Sequence, residues 1–178
     1  MSPSVENEPE VLHSLLLRAK DGDSEAFSEL FERFYPMIHA FCYRSCLCPA
    51  QAQDLAQETF IKAARSIKQC RGGEHWQAWL YRIAVNAVRD WLRQKKRRER
   101  LDEALRDVAV ESDNPAHERV ADALAALPRE LRITVALVYE DGMSHAAAAR
   151  ALGCAETTVS WRLYRARRKL KTLLSKMI

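Results

Sequence analysis

Apolar residues recur every three to four positions along most of the chain, and strand-like alternation with period two is absent. That pattern predicts an all-α fold. After the turn Asp21-Gly22-Asp23-Ser24, which ends in a helix cap followed by Glu25, positions Phe27, Leu30, Phe31, Phe34, Ile38 and Phe41 mark one stripe of a core-facing helix. Pro36 predicts a local break or kink in it. Cys48-Pro49 interrupts the pattern, and a second helix is expected over roughly 50–67. Gln69 to Glu74, with its paired glycines, reads as a loop. A third, long helix is expected from near Trp76 to past Lys96, with Trp76, Leu80, Ile83, Ala84, Ala87 and Trp91 as its inner stripe.

Between Leu101 and Pro115 the apolar pattern thins, acids accumulate, and Asn114-Pro115 supplies a turn signal. Beyond it, helices are expected over roughly 117–126, 128–140, 144–152 and 155–176, with turns at Asp141-Gly142 and Gly153-Cys154. Ser144 is suited to cap a short alanine-rich helix, Gly153 to stop it with positive φ, and Glu156-Thr157-Thr158-Val159 to open the next, which makes a helix-turn-helix. The expected architecture is two small helical domains, 1–97 and 117–178, joined by a flexible acidic linker at 98–116, with the helix-turn-helix in the C-terminal domain.

Composition narrows the classes. With 48% hydrophobic and 29% charged residues over 178 positions, the chain can bury a core, and wholesale disorder is excluded. No apolar run approaches bilayer-spanning length. Met1 to Glu10 carries three glutamates and neither a basic nor an apolar leader segment, so a cytoplasmic protein is expected. The formal charge of +4 conceals polarity: residues 98–118 hold three basic and seven acidic side chains, whereas 119–178 hold 11 basic and five acidic. Two basic bodies flanking an acidic connector point toward a polyanion partner.

Three faces carry the candidate chemistry. On the last helix, Val159, Leu163, Ala166, Leu170, Leu173 and Met177 share one side, and Thr157, Trp161, Tyr164, Arg165 and Arg168 the other. A helix fits the major groove, and arginine addresses guanine edges and phosphates, so the outer face suits duplex DNA. On the third helix, Arg82, Asn86, Arg89 and Arg93 lie opposite the inner stripe, close to His75, Trp76, Trp79 and Tyr81. Aromatic groups beside cations are what holding unstacked bases requires. The second helix places Asp54, Gln57, Glu58 and Ile61 at i, i+3, i+4 and i+7, an acidic, partly apolar face better suited to a basic protein than to DNA.

Five cysteines, an odd number, argue against a disulfide framework. His39, Cys42 and Cys46 share a helix face near Cys48, which leaves a metal or redox site open, although no tight CxxC pair is present and free cysteine commonly packs as a small hydrophobe. There is no glycine-rich phosphate loop, nucleophile elbow or paired-histidine helix, so neither an enzyme nor a cofactor is expected. A DNA-binding repressor or activator, and a protein-binding helical adaptor, are the competing classes.

The run Asp54-Leu55-Ala56-Gln57-Glu58-Thr59-Phe60, then Trp79-Leu80-Tyr81-Arg82-Ile83-Ala84 with Asn86 and Asp90, then Leu127-Pro128 and the final helix-turn-helix, resembles the extracytoplasmic-function sigma factors. These direct bacterial RNA polymerase to promoters. The resemblance spans nearly the whole chain, from about residue 12 to 175. It implies that Asp54, Gln57, Glu58 and Ile61 dock on the polymerase β′ clamp helices. It implies that the loop from Ile67 to His75 with Trp79, Arg82, Asn86, Arg89 and Arg93 opens the minus-ten element and captures a flipped non-template base. It assigns Thr157, Thr158, Ser160, Trp161, Arg162, Tyr164, Arg165 and Arg168 to the minus-thirty-five major groove, and the helices around Leu127 to Val138 to the β flap. The partners implied are RNA polymerase core, promoter DNA both double-stranded and melted, and an anti-sigma factor. The acidic linker is implied to thread the RNA-exit channel.

Overall fold

The computed structural model describes residues 8–101 and 122–175, among which every regular element is helical. A first lobe comprises α1 (Glu8–Lys20), α2 (Ser24–Cys46), α3 (Pro49–Ser66) and α4 (Gly73–Leu101), with a 3₁₀ turn at Ile67–Gln69 before α4. A second comprises α5 (Arg129–Val135), extended by a π turn at Ala136–Glu140, then α6 (His145–Leu152) and α7 (Glu156–Ser175). Of the expected linker, residues 98–101 belong to α4 and the remainder lies outside the described residues. Of the helix expected at 117–126, residues 122–125 are helical and 117–121 lie outside them.

Local chemistry sets most boundaries. Asp23 caps α2 by accepting from the backbone N–H groups of Glu25 and Ala26 at 2.9 and 3.0 Å, while Arg18 Nε donates to its other carboxylate oxygen at 2.8 Å. Those donors hold the Asp23 carboxyl below its ordinary range, the Ala26 N–H most of all. Helix α2 runs unbroken through Pro36, so of the break or kink expected there the break does not form. It ends at Leu47, whose φ of 56° is the one positive value outside glycine among the described residues, and whose N–H donates to the Tyr43 carbonyl at 2.7 Å. Pro49 opens α3, where a missing N–H costs nothing.

The first lobe closes around Trp76, Tyr81, Phe41, Leu16, Leu30 and Ile38, all fully buried. Phe41 meets Tyr81 edge-on with ring centroids 5.2 Å apart, and Phe34 meets Trp76 likewise at 5.9 Å. Two expectations need correction. Tyr81, placed beside the base-holding face, is a core residue, and Val85 and Val88 are buried where the inner stripe had Ile83 and Trp91, which are only partly covered. The reason is that α4 packs against α1, α2 and α3 and also against α6 of the second lobe, so it buries a broader arc than a one-sided stripe. Helix α1, which the apolar pattern above did not pick out, contributes Leu15, Leu16 and Ala19 to the core.

In the second lobe Ser144 accepts from the Ala147 N–H at 3.2 Å, and Gly153 stops α6 in the left-handed region at φ 65°. Open space surrounds the position a Gly153 Cβ would take, so substitution there meets backbone strain alone. Gly153→Ala is therefore expected to destabilise the protein by about 1–2 kcal/mol in urea denaturation.

Among the described residues no three metal-ligating side chains stand together, and His39 stacks on Tyr35. Cys42 is fully buried, which pushes its thiol up to about 12; burial likewise raises Cys46, whose thiol donates to the Cys48 carbonyl at 3.3 Å. Cys48 is exposed. Native alkylation followed by peptide mass spectrometry should modify Cys48 first and reach Cys42 and Cys70, both buried, only on unfolding.

Candidate nucleic-acid and polymerase interface

The face predicted on α3 is present as a surface. Leu55, Ala56, Thr59, Phe60 and Ala63 turn inward and are buried, which leaves Asp54, Gln57, Glu58 and Ile61 exposed together. Ile61 is 53% exposed, a large aliphatic side chain in water within an acidic stripe. Glu58 pairs with Lys62 one turn on, a surface contact worth a few tenths of a kcal/mol.

On α4 the predicted set divides. Arg82 and Asn86 are exposed, and Trp79 is half-buried with its ring centroid 5.3 Å from that of Trp76. They share a cleft with Arg71 from the loop before α4, with His75 from the first turn of α4, and with Arg150, Gly153, Cys154 and Ala155 from the helix-turn-helix; its volume is about 1130 Å³. Arg93 is exposed and pairs with Asp90 on its own helix. Arg89 does not belong to this open face. It reaches across to the second lobe, where its Nη1 donates to the Leu152 carbonyl at 3.2 Å and its Nη2 to Glu130 at 3.3 Å.

The outer face of α7 carries a cation–aromatic ladder. The Arg165 guanidinium lies 5.0 Å from the Trp161 ring centroid, and that of Arg168 lies 5.9 Å from the Tyr164 centroid. Trp161 and Tyr164 are 54% and 59% exposed. Such stacking, worth about 0.5–1 kcal/mol at exposed sites, restricts the arginine forks and so reduces the ordering cost of meeting a ligand. Thr157 is exposed and Thr158 half-buried at the start of α7, and the Ser160 hydroxyl sits 3.0 Å from His145 Nδ1, which ties the two helices of the motif together. Arg162 faces inward, with Nη2 3.2 Å from Glu130 Oε2.

The helix expected to meet the β flap buries its apolar residues. Leu131, Ile133, Val135 and Leu137 lie inside the second lobe because α5 has α7 to pack against, which leaves Val138 partly covered and Tyr139 exposed. Arg167 Nε donates to the Tyr139 hydroxyl at 2.9 Å.

A second seam joins the lobes beside the end of α2. Arg44 pairs with both Glu140 and Asp141, and Arg132 Nη2 donates to the Ser45 carbonyl at 3.1 Å. Asp141 is pushed above its ordinary range by burial, against the opposing pull of Arg44. Nothing in the sequence pattern singles out Arg44, Glu130, Arg132 or Asp141, because contacts across a connector leave no local periodicity.

Comparisons with known proteins give a consistent picture. Residues 30–98 match the family model described as Sigma-70 region 2, and residues 117–170 match Sigma-70, region 4. The chain is 36% identical over 157 residues to the ECF RNA polymerase sigma factor SigM of Mycobacterium tuberculosis, covering 86% of this chain and 79% of that one. It is 29% identical over 182 residues to the ECF RNA polymerase sigma-E factor of Haemophilus influenzae, covering 93% and 96%. Among solved structures it is similar to CnrH in complex with the cytosolic domain of CnrY, with a TM-score of 0.72, 26% identity, and coverage of 93% of this chain and 98% of that one. It is also similar to RpoE in complex with the anti-sigma factor NepR from Bartonella quintana, with a TM-score of 0.73, 26% identity and coverage of 84% and 96%.

Proposed function

The chain belongs to the extracytoplasmic-function sigma factors of the sigma-70 family, and from that membership we infer, residue by residue, how its surfaces divide the work of initiation. It binds RNA polymerase core and directs promoter-specific transcription initiation.

Asp54, Gln57, Glu58 and Ile61 dock on the basic β′ clamp helices. The carboxylates steer the encounter and set its register, and Ile61 supplies apolar area that leaves water. The outer face of α7, with Thr157, Thr158, Ser160, Trp161, Tyr164, Arg165 and Arg168, enters the minus-thirty-five major groove, and Arg162 joins it only when released from Glu130. Trp79, Arg82, Asn86 and Arg93, with the loop before α4, take the non-template strand of the minus-ten element, and Arg89 joins them only when released from Leu152 and Glu130. Melting follows from binding: grip on the single strand offsets the few kcal/mol needed to extrude a base, and no nucleotide hydrolysis is involved. The division at 1–97, 98–116 and 117–178 belongs to this reading, with the helix of the first body running on into the connector. A cytoplasmic location and an anti-sigma partner complete it; the similar RpoE was solved with one.

The observation that carries this reading is the separation of one acidic face from two basic, aromatic-bearing ones on a single chain. The test is run-off transcription with purified core enzyme on genomic fragments. Specific starts that depend on the added protein are expected, and their absence with a normally folded protein would overturn it. A repressor would instead shift duplex DNA unaided.

A further inference from the structure

The corner between α2 and α3 brings together two thiols that none of the transcription roles assigned above employs. Cys46 is the last residue of α2 and Cys48 the one before α3, with only Leu47 between them. Leu47 stands in the left-handed region, at φ 56° and ψ 32°, which a leucine adopts only where its surroundings enforce it. That conformation folds its two neighbours toward each other. A left-handed turn is the mirror image of an α-helical one, so Cα atoms two positions apart are about 5.4 Å from one another across it. A disulfide asks for about 4.4–6.8 Å, most often about 5.5–6 Å. An extended residue between the cysteines would set them about 6.6 Å apart, at the edge of that range.

The sulfur of Cys46 already turns toward its neighbour, since its thiol donates to the Cys48 carbonyl at 3.3 Å. Burial raises the Cys46 thiol most of all; its hydrogen bond to the Cys48 backbone opposes that, and the nearby Cys48 sulfur adds to it. Exposure divides the pair. Cys48 lies open to solvent and Cys46 is half-buried, so an oxidant in solution meets Cys48 first. Cys42, one turn back from Cys46, is fully buried. The Cys48 carbonyl also accepts the first ladder bond of α3, from the Ala52 N–H at 2.9 Å, so it keeps a partner when the Cys46 hydrogen is withdrawn. Joining the two sulfurs therefore leaves the start of α3 intact.

We propose that Cys46 and Cys48 form a redox-active dithiol, which hydrogen peroxide converts to an internal disulfide. Cys48 attacks: its sulfur takes one peroxide oxygen, the O–O bond breaks, and the other oxygen leaves as water with one proton. The Cys46 sulfur then displaces hydroxide from the Cys48 sulfenic acid. The S–S bond forms as the S–O bond breaks, and the hydroxide leaves with the Cys46 proton as a second water. Two thiols give up two electrons and one peroxide becomes two waters. A bridge across a single residue at an exposed corner belongs with the labile, reversible disulfides rather than the structural ones. The step needs neither polymerase nor DNA, so it stands or falls apart from the sigma-factor reading.

The test treats the reduced full-length chain with hydrogen peroxide, blocks the remaining thiols by alkylation, and weighs the tryptic peptides. Trypsin releases Cys46 and Cys48 together in peptide 45–62, and Cys42 in the peptide that ends at Arg44. The expected product is a 45–62 peptide lighter by two hydrogens and free of alkyl groups, restored by dithiothreitol, from a protein whose far-UV circular dichroism stays native. In Cys46→Ser the disulfide is lost, and Cys48 stops at a sulfenic acid that dimedone traps or goes on to the sulfinic acid. In Cys48→Ser the disulfide is lost and Cys46 keeps its thiol at the same peroxide dose. Full alkylation of peptide 45–62 at doses that oxidise free glutathione would overturn the proposal. So would cross-linked peptides joining Cys42 to Cys46, a disulfide-linked dimer as the sole product, or oxidation that accompanies loss of native circular dichroism. Sulfenic acid trapped on Cys46 in Cys48→Ser would overturn the assignment of Cys48 as the attacking thiol.

Discussion

Asp54→Arg combined with Glu58→Arg should abolish co-purification with core RNA polymerase while leaving the fold intact. Both side chains are exposed on α3, and the residues that anchor the helix, Leu55, Ala56, Thr59 and Phe60, are untouched. Within the protein the change breaks the Glu58–Lys62 pair, worth a few tenths of a kcal/mol. Against a basic partner the same change converts two attractions into two repulsions, and like-charge juxtaposition at an interface costs several kcal/mol. A loss of about 4 kcal/mol weakens binding about 1000-fold, enough to remove the complex at micromolar concentrations. Pull-down and anisotropy titration against core enzyme measure it, with far-UV circular dichroism as the folding control. Retained co-purification would move the docking surface elsewhere. Ile61→Ala, which removes apolar area and no charge, should weaken the complex by roughly tenfold.

The sequence made that face legible because α3 buries one side only: a helix with a single packed stripe displays its outer residues in plain periodicity. The helix-turn-helix was legible for a similar reason, since Ser144 and Gly153 do in the structure what their chemistry predicts. Failures cluster where packing comes from outside the local segment. Helix α4 touches three helices of its own lobe and α6 of the other, so Tyr81, Val85 and Val88 are buried beyond the stripe that a one-sided wheel allows. The exposed aromatics of α7 read from sequence as contact surface, whereas the structure adds that they hold arginine side chains in place. The seam residues carried no signal. Glu130 looks like an ordinary first-turn glutamate on α5, and only the approach of Arg89 and Arg162 makes it a hub.

The other large effect is expected at the minus-ten face. Trp79→Ala with Arg82→Ala should leave core binding unchanged and reduce open-complex formation about 100-fold. Arg82 is exposed and shows no ion pair among the described residues, so its truncation costs the fold little. Trp79 packs against Trp76, so Trp79→Phe serves as the conservative partner that keeps an aromatic face and most of the packing. Stacking on a base is worth about 1–3 kcal/mol, and the loss of a phosphate interaction adds to it, so a deficit near 3 kcal/mol and a 100-fold defect follow. Permanganate reactivity of unpaired thymines around the start site reports melting directly. A template with a mismatched minus-ten bubble supplies the unpairing in advance. It should recover the part of the defect due to duplex opening and leave the part due to grip on the strand. Melting undiminished in the double variant would remove Trp79 and Arg82 from strand capture and leave the loop before α4 to account for it.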